Sequence, residues 1–462
     1  MIKLFDSWYR LASISHLQYD ENNDSVNLWR GKNYRRGTKA LPVKVCSVLQ
    51  IKTREYLFDL LKLGVTVLIG IFIFLNPFPH TTAIKETGFY LSVFIVLFLI
   101  GYKKINFSFE SPLTLPFALF TGWVFIGLFF ALDKENSLHD FRAHLLKYLV
   151  FYYILINFFH SRKRVVSLSW LIIISVTIFS VGEIYYFYFM LGNSFSTKLV
   201  TGLPEIPVNW IGYLTVPAAV FSLHHIIEKK SNLYIRVLSL ACLLPLCSLS
   251  FLTQARSTTL ALCLAVFMLC SENKKNLIVF LLIILIAISI SPIKDRFISF
   301  NLTYDLRLDI HHTTFEIIKN YPILGIGFGM ETYRNEKVIN LDQYNQRVPQ
   351  KYRQAPIHTD PHSVLFSIAV RTGLVGFGLF LYILFTCLKM FLKCVGSREN
   401  DFISRWGRTI ASAFIAIFFI GNFEPFFSHV PEVVFYTILA MATIVWSIHS
   451  GKTTINIQPE LV

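Results

Sequence analysis

The chain has 462 residues, 54% hydrophobic and only 15% charged, with a mean hydropathy of +0.54 and a formal net charge of +15. Soluble domains carry about 25% charged residues, so this balance argues against a soluble enzyme. The positive charge is spread over many short loops, which argues against a nucleic-acid partner and fits attraction to anionic membrane lipid.

Residues 1–57 are polar and lack the apolar stretch of a signal peptide. They read as a cytoplasmic N-terminal tail, whose MIKLFDSWYRL start suits a membrane surface. Apolar runs then recur to residue 449, and a crossing takes about 20 such residues. The expected spans are 59–77, 88–102, 113–132, 145–160, 165–188, 208–227, 235–252, 257–270, 276–293, 363–388, 409–427 and 431–449. The fourth can begin earlier, at His139, and the short eighth is expected to extend outward through Thr253 to Ser257. The fold expected is therefore all-α and polytopic, with about twelve transmembrane helices. Helices one to nine occupy 58–293, a large loop 294–362, helices ten to twelve 363–449, and a C-terminal tail 450–462.

Orientation follows from the Lys/Arg bias of the loops. Every second short loop is basic, from Lys103 and Lys104 to Arg405 and Arg408, and the N-terminal tail carries ten more Lys/Arg. Both termini are thus expected in the cytoplasm, with loop 294–362 on the outer side. Of the seven cysteines, Cys46 and Cys394 are cytoplasmic and the others lie within spans. Neither disulfides nor a metal site is expected.

The large loop holds nine Lys/Arg and eight Asp/Glu. A segment of nearly 70 residues without function would be unusual. Leu306, Ile310, Phe315 and Ile318 are spaced for a helix over 306–320. Tyr321-Pro322 ends it, GIGFG (325–329) forms a tight turn, and a second helix is expected near 330–340. The glycines do not make a dinucleotide fingerprint, because no strand precedes them.

Three polar side chains stand at the outer ends of spans. Arg256, in LTQARSTTLAL, lies in a very short connection at the membrane surface, where an arginine needs a partner or snorkels. Arg307 opens the loop helix; composition alone favours a surface arginine paired with Asp305, Asp309 or His311. His362 precedes the tenth span, with Asp360 or Pro361 as cap and first helical residue. An imidazole there can take a proton near pH 7 or simply make one hydrogen bond. His358, His311 and His312 compete with it. Outer carboxylates are few, so arginines rather than a metal would neutralise an anionic ligand. Glu183, inside the fifth span, reads as structural.

LTQARSTTLAL, LRLDIHHTTFEIIKNYPILGIGFG and IHTDPHSVLFSIAVRTGLVGFGLF, in this order, resemble the O-antigen ligase and polymerase superfamily. ALDKENSLHDFRAHLLKYLVFYYILINFF is similar to its fourth-span region. The resemblance implies a GT-C-like glycosyltransferase in the bacterial inner membrane, with the large loop and active site facing the periplasm. It implies transfer of a polysaccharide from undecaprenyl diphosphate to a lipid A-core sugar hydroxyl, metal-independent, without cofactor, and with inversion. Arg256 and Arg307 would then bind the diphosphate, and His362 would be the base. Ser363 stands where the family often has Asn after the His, and Arg371 where it often has an acidic residue. Arg371 is either a third phosphate contact or a structural pair for Glu424. The nearest alternative is a polymerase on the same carrier; a transporter or flippase is the alternative of another class, although no internal repeat supports it.

Overall fold

The computed structural model describes residues 17–19, 26–28, 43–200, 208–228, 231–271, 274–290, 306–353, 360–397, 401–425, 427 and 429–451. The chain divides into two compact units, Met1–Leu57 and Phe58–Val462. In the first, strands β1 (Leu17–Tyr19) and β2 (Val26–Leu28) pair antiparallel with Leu17 opposite Leu28. This small ribbon lies in a segment whose sequence shows no clear period, and the other described elements are helical, as the all-α expectation has it.

The rest is helical. In chain order the helices are α1 (Val43–Phe74), α2 (Thr82–Gly101), α3 (Thr114–Leu128), α4 (Lys134–Asp140), α5 (Lys147–Phe158), α6 (Arg162–Ile184), α7 (Val208–Ile227) and α8 (Leu233–Leu252). They continue as α9 (Arg256–Cys270), α10 (Lys274–Ile290), α11 (Leu306–Asn320), α12 (Leu341–Asn345), α13 (Val364–Val395), α14 (Asp401–Gly421) and α15 (His429–His449). Among the described residues, eight helices are long and apolar enough to cross a membrane. The four other expected spans coincide with the shorter helices α3, α5, α9 and α10, of 12 to 17 residues. Outward faces carry large apolar side chains such as Phe94, Leu97, Leu244 and Leu392, as a lipid-facing surface requires. The chain is thus a multi-pass membrane protein.

Helices α7 and α15 form the centre of the bundle, each with 83% of its apolar window buried, against 22% for α2. Small residues of α14 and α15 such as Ala413, Ala416, Ala440 and Ala442 are buried and let neighbouring helices approach closely. Several boundaries differ from expectation, two of them at local breaks in the helical run. The fourth helical run starts at Lys134, earlier than His139, and passes through a π-helical turn at Phe141–Leu146 into α5. The eighth span is extended only as far as Arg256: Gln254 takes φ +52 and makes a turn before α9 starts there.

Within the large loop, α11 occupies the expected residues. A single 3₁₀ turn, Glu331–Arg334, and the short α12 replace the expected helix over 330–340. Ile317, Ile318, Ile326, Tyr333, Ile339 and Tyr344 pack as a separate small core against Ala369 and Val370 of α13. Asp309, fully buried, accepts a 2.6 Å hydrogen bond from Asn345. A loop with its own core and a satisfied buried carboxylate is a folded element.

The glycine-rich turn is threaded into a break in α13. Gly373 takes φ 69 and ψ −178 inside that helix, which interrupts the backbone ladder. The released carbonyls of Val370 and Arg371 accept the N–H groups of Ile326 and Gly327, and Leu374 N–H donates to Pro322. Gly325 and Gly327 have φ +70 and +113, and a Cβ on Gly325 would lie 2.5 Å from the backbone of Arg371. From the other side, segment 131–140 cradles the turn. Ser137 accepts Gly329 N–H at 3.2 Å, Asp140 accepts Met330 N–H at 2.6 Å, and Asn136 accepts Glu331 N–H at 3.1 Å. These glycines serve close backbone approach.

Candidate active site at one end of the bundle

His362 lies immediately before α13, not in its first turn as expected. The helix starts at Val364 with Ser363 as N-cap, and Ser363 makes no side-chain capping bond. Asp360 instead accepts the backbone N–H of His362 at 2.6 Å, and His362 takes a left-handed φ of 46. Such a backbone is uncommon for a non-glycine residue and persists only where its surroundings hold it.

The imidazole meets two carboxylates. Its Nδ1 is 3.2 Å from Glu424 Oε2 and 3.3 Å from Asp360 Oδ1. Glu424 follows α14, where its N–H donates to Ile420 O at 3.1 Å and its carbonyl accepts the Tyr213 hydroxyl from α7. The Glu424 hydrogen bond is the largest influence on His362 and raises its pKa; burial opposes this, and the Asp360 charge adds to it. Burial is the main cause that pushes Asp360 up, with Glu424 adding to the rise.

Arg307 joins this group. Its guanidinium lies over the ring of Phe423, the residue before Glu424 in sequence, 5.4 Å from the centroid. Its positive charge acts on His362 in the direction opposite to the carboxylates. Arg256 begins α9 at the same end of the bundle. Thr258, just inside that helix, sits so close to Gly212 of α7 that a Cβ there would lie 2.4 Å from its Oγ1 and 3.2 Å from Ile420 of α14. Ile420 is one turn before Glu424. The starts of α7 and α9, the end of α14 and the entry to α13 therefore meet in one place.

Arg371 goes elsewhere. It is 3% exposed, and its Nε donates to the Phe328 carbonyl at 2.7 Å, with Nη2 on the same oxygen. Its guanidinium stacks on Phe328 at 4.1 Å, and its charge is balanced by Asp140 and Glu432. It holds the glycine turn; Glu424, the structural partner foreseen for it, faces His362. His311 stacks on Phe366 at 4.7 Å, and His312 on Tyr352 at 4.8 Å. Glu183 is fully buried in α6. His358 lies outside the described residues.

Sequence reasoning missed a second polar cluster beneath the turn. His144, on the π-helical turn, bonds Glu432 of α15 at 2.7 Å and stacks on His429, with 4.6 Å between centroids and 26° between planes. The tilt is small, so the two ring planes do not converge on one nearby point, as two imidazoles sharing a cation require. The available signal was the run DKENSLHDFRAH, which places Asp140 and His144 one turn apart.

The fold and this site define a class: a multi-pass helical membrane protein with an arginine, a histidine and carboxylates gathered at one end under a folded loop. Residues 240–381 match the family described as O-antigen ligase. The matched segment contains Arg256, Arg307, the glycine turn, His362 and Arg371. This match, over less than half of the chain, supports a relationship to the O-antigen ligase superfamily, a family of glycosyltransferase-like ligases and polymerases. No curated protein matches the chain significantly.

Proposed function

We propose that the protein is an O-antigen ligase-type glycosyltransferase of the bacterial inner membrane. It moves a polysaccharide from undecaprenyl diphosphate to a lipid A-core sugar hydroxyl at the periplasmic face, with inversion and without a metal. Twelve crossings, a GT-C-like arrangement, cytoplasmic termini and a periplasmic loop 294–362 belong to the same reading. The observation that carries it is the approach of Arg307 to His362 where α9 begins with Arg256.

The chemistry follows from these groups. Arg256 and Arg307 hold the diphosphate of the donor. As the bond from the anomeric carbon to the diphosphate oxygen breaks, its electron pair leaves with the diphosphate. Guanidinium groups fixed in a water-poor site stabilise that charge without reorganising. The acceptor hydroxyl attacks the opposite face of the anomeric carbon, and His362 takes its proton, a contribution worth about 10²–10⁴ in rate.

The test is transfer by the purified full-length protein from lipid-linked diphosphate glycan to lipid A-core. Arg256→Ala, Arg307→Ala and His362→Ala are each expected to abolish product while the protein inserts normally. Wild-type product from all three would overturn the proposal. A deletion strain separates ligase from polymerase: loss of ligation leaves long glycan on the lipid carrier, and loss of polymerisation leaves single repeat units.

A further inference from the structure

We infer that Glu424 is the positioning partner of His362, fixing which of the two ring nitrogens takes the acceptor's proton; this rests on the glycosyl-transfer reading above. The geometry assigns the tautomer. Glu424 Oε2 lies 3.2 Å and Asp360 Oδ1 3.3 Å from the same nitrogen, Nδ1. An ionised carboxylate only accepts hydrogen bonds. Nδ1 must therefore carry the hydrogen, and Nε2 keeps the lone pair. In the reaction the hydroxyl proton passes to Nε2, and the resulting imidazolium is stabilised by the carboxylate at Nδ1. This is the base-and-orienter logic of a catalytic triad, here serving a sugar hydroxyl.

Both members of the pair are anchored. The His362 backbone is pinned in its left-handed conformation by the 2.6 Å bond to Asp360. Glu424 is held through its own backbone, by Ile420 O on one side and the Tyr213 hydroxyl on the other. Its side chain thus comes from α14 and the ring from the entry to α13, two elements fixed independently of each other. A carboxylate recruited only to satisfy a buried polar group would not need this double anchorage. Asp360, two residues from the ring, shapes the backbone; Glu424, 62 residues away, sets the ring's orientation.

The experiment is the pH–rate profile of transfer by the purified full-length protein, wild type against Glu424→Gln, Glu424→Asp and His362→Ala. Glu424 is the largest influence raising the His362 pKa. The neutral imidazole is the active base, so the wild-type rate should fall with acid at a pH above the ordinary histidine value of about 6.5. In Glu424→Gln the acid limb should move to lower pH. The rate above it should fall at least about tenfold, within the range general bases contribute, with the donor KM unchanged. Glu424→Asp keeps the charge and should retain much of the rate and the position of the limb; it also serves where the Gln protein does not accumulate. An unmoved limb and an undiminished rate in Glu424→Gln, with His362→Ala inactive, would overturn this inference and leave the transferase reading intact. Wild-type transfer by His362→Ala would overturn both.

Discussion

Replacing Gly373 by alanine tests the threading of the glycine turn into α13. Gly373 takes φ 69 and ψ −178, a region essentially restricted to glycine, and holding another residue there costs about 1–3 kcal/mol. The added methyl would lie 2.0 Å from Ile323 O and 2.2 Å from Ile323 C. Those are backbone atoms of the turn and cannot rotate away, and overpacking of this kind costs about 1–3 kcal/mol more. The substitution should therefore destabilise by about 2–6 kcal/mol. Gly378, further along the same helix, has nothing within 4 Å of its would-be Cβ. There alanine should be neutral or gain up to about 1 kcal/mol from helix propensity. Thermal unfolding of the detergent-purified proteins reads the contrast. Gly373→Ala should melt well below wild type and Gly378→Ala at or slightly above it. Equal melting of Gly373→Ala and wild type would refute the break in the helix and the docking of residues 322–327 into it.

Other substitutions probe the supports of the site. Arg371→Ala removes the donor to Phe328 and one of the positive charges near the buried Asp140 and Glu432, a loss expected to cost about 1.5–3 kcal/mol; unchanged melting would contradict it. Asp140→Asn weakens the bond to Met330 N–H and should cost about 1–3 kcal/mol in the same assay. His311→Ala loses a stacking contact with Phe366, worth about 0.5–1.5 kcal/mol, and should still transfer glycan at near wild-type rate. Transfer should continue after treatment with a strong chelator, because arginines neutralise the diphosphate; loss of activity restored by a divalent cation would contradict this.

Much of the fold is legible in the sequence because hydrophobic length and loop charge are local properties. The helix 306–320 shows for the same reason: its apolar residues follow one period, and Tyr321-Pro322 stops it. The break at Gly373 does not show. GLVGFG reads as an ordinary run of small residues in a span, and only the incoming turn makes one of its glycines non-helical. Arg371 illustrates the same limit. A charged residue in a span signals a partner, yet the partner is a carbonyl at residue 328 brought close by folding. The paired roles of Asp360 and Glu424 were hidden for a similar reason: Glu424 is 62 residues from His362, and no spacing rule links the end of one helix to the entry of another. The strands Leu17–Tyr19 and Val26–Leu28 are only three residues each, too short for periodicity over a window to give a signal.

The most direct test of the central claim is equilibrium binding of undecaprenyl diphosphate to the purified protein, compared with Arg256→Ala and Arg307→Ala. Losing one charged hydrogen-bonding group costs about 1.5–3 kcal/mol, so each variant should raise Kd by roughly 10- to 150-fold, while undecaprenol, which lacks the diphosphate, should bind all three proteins alike. Equal diphosphate affinity in wild type and both variants would contradict the account.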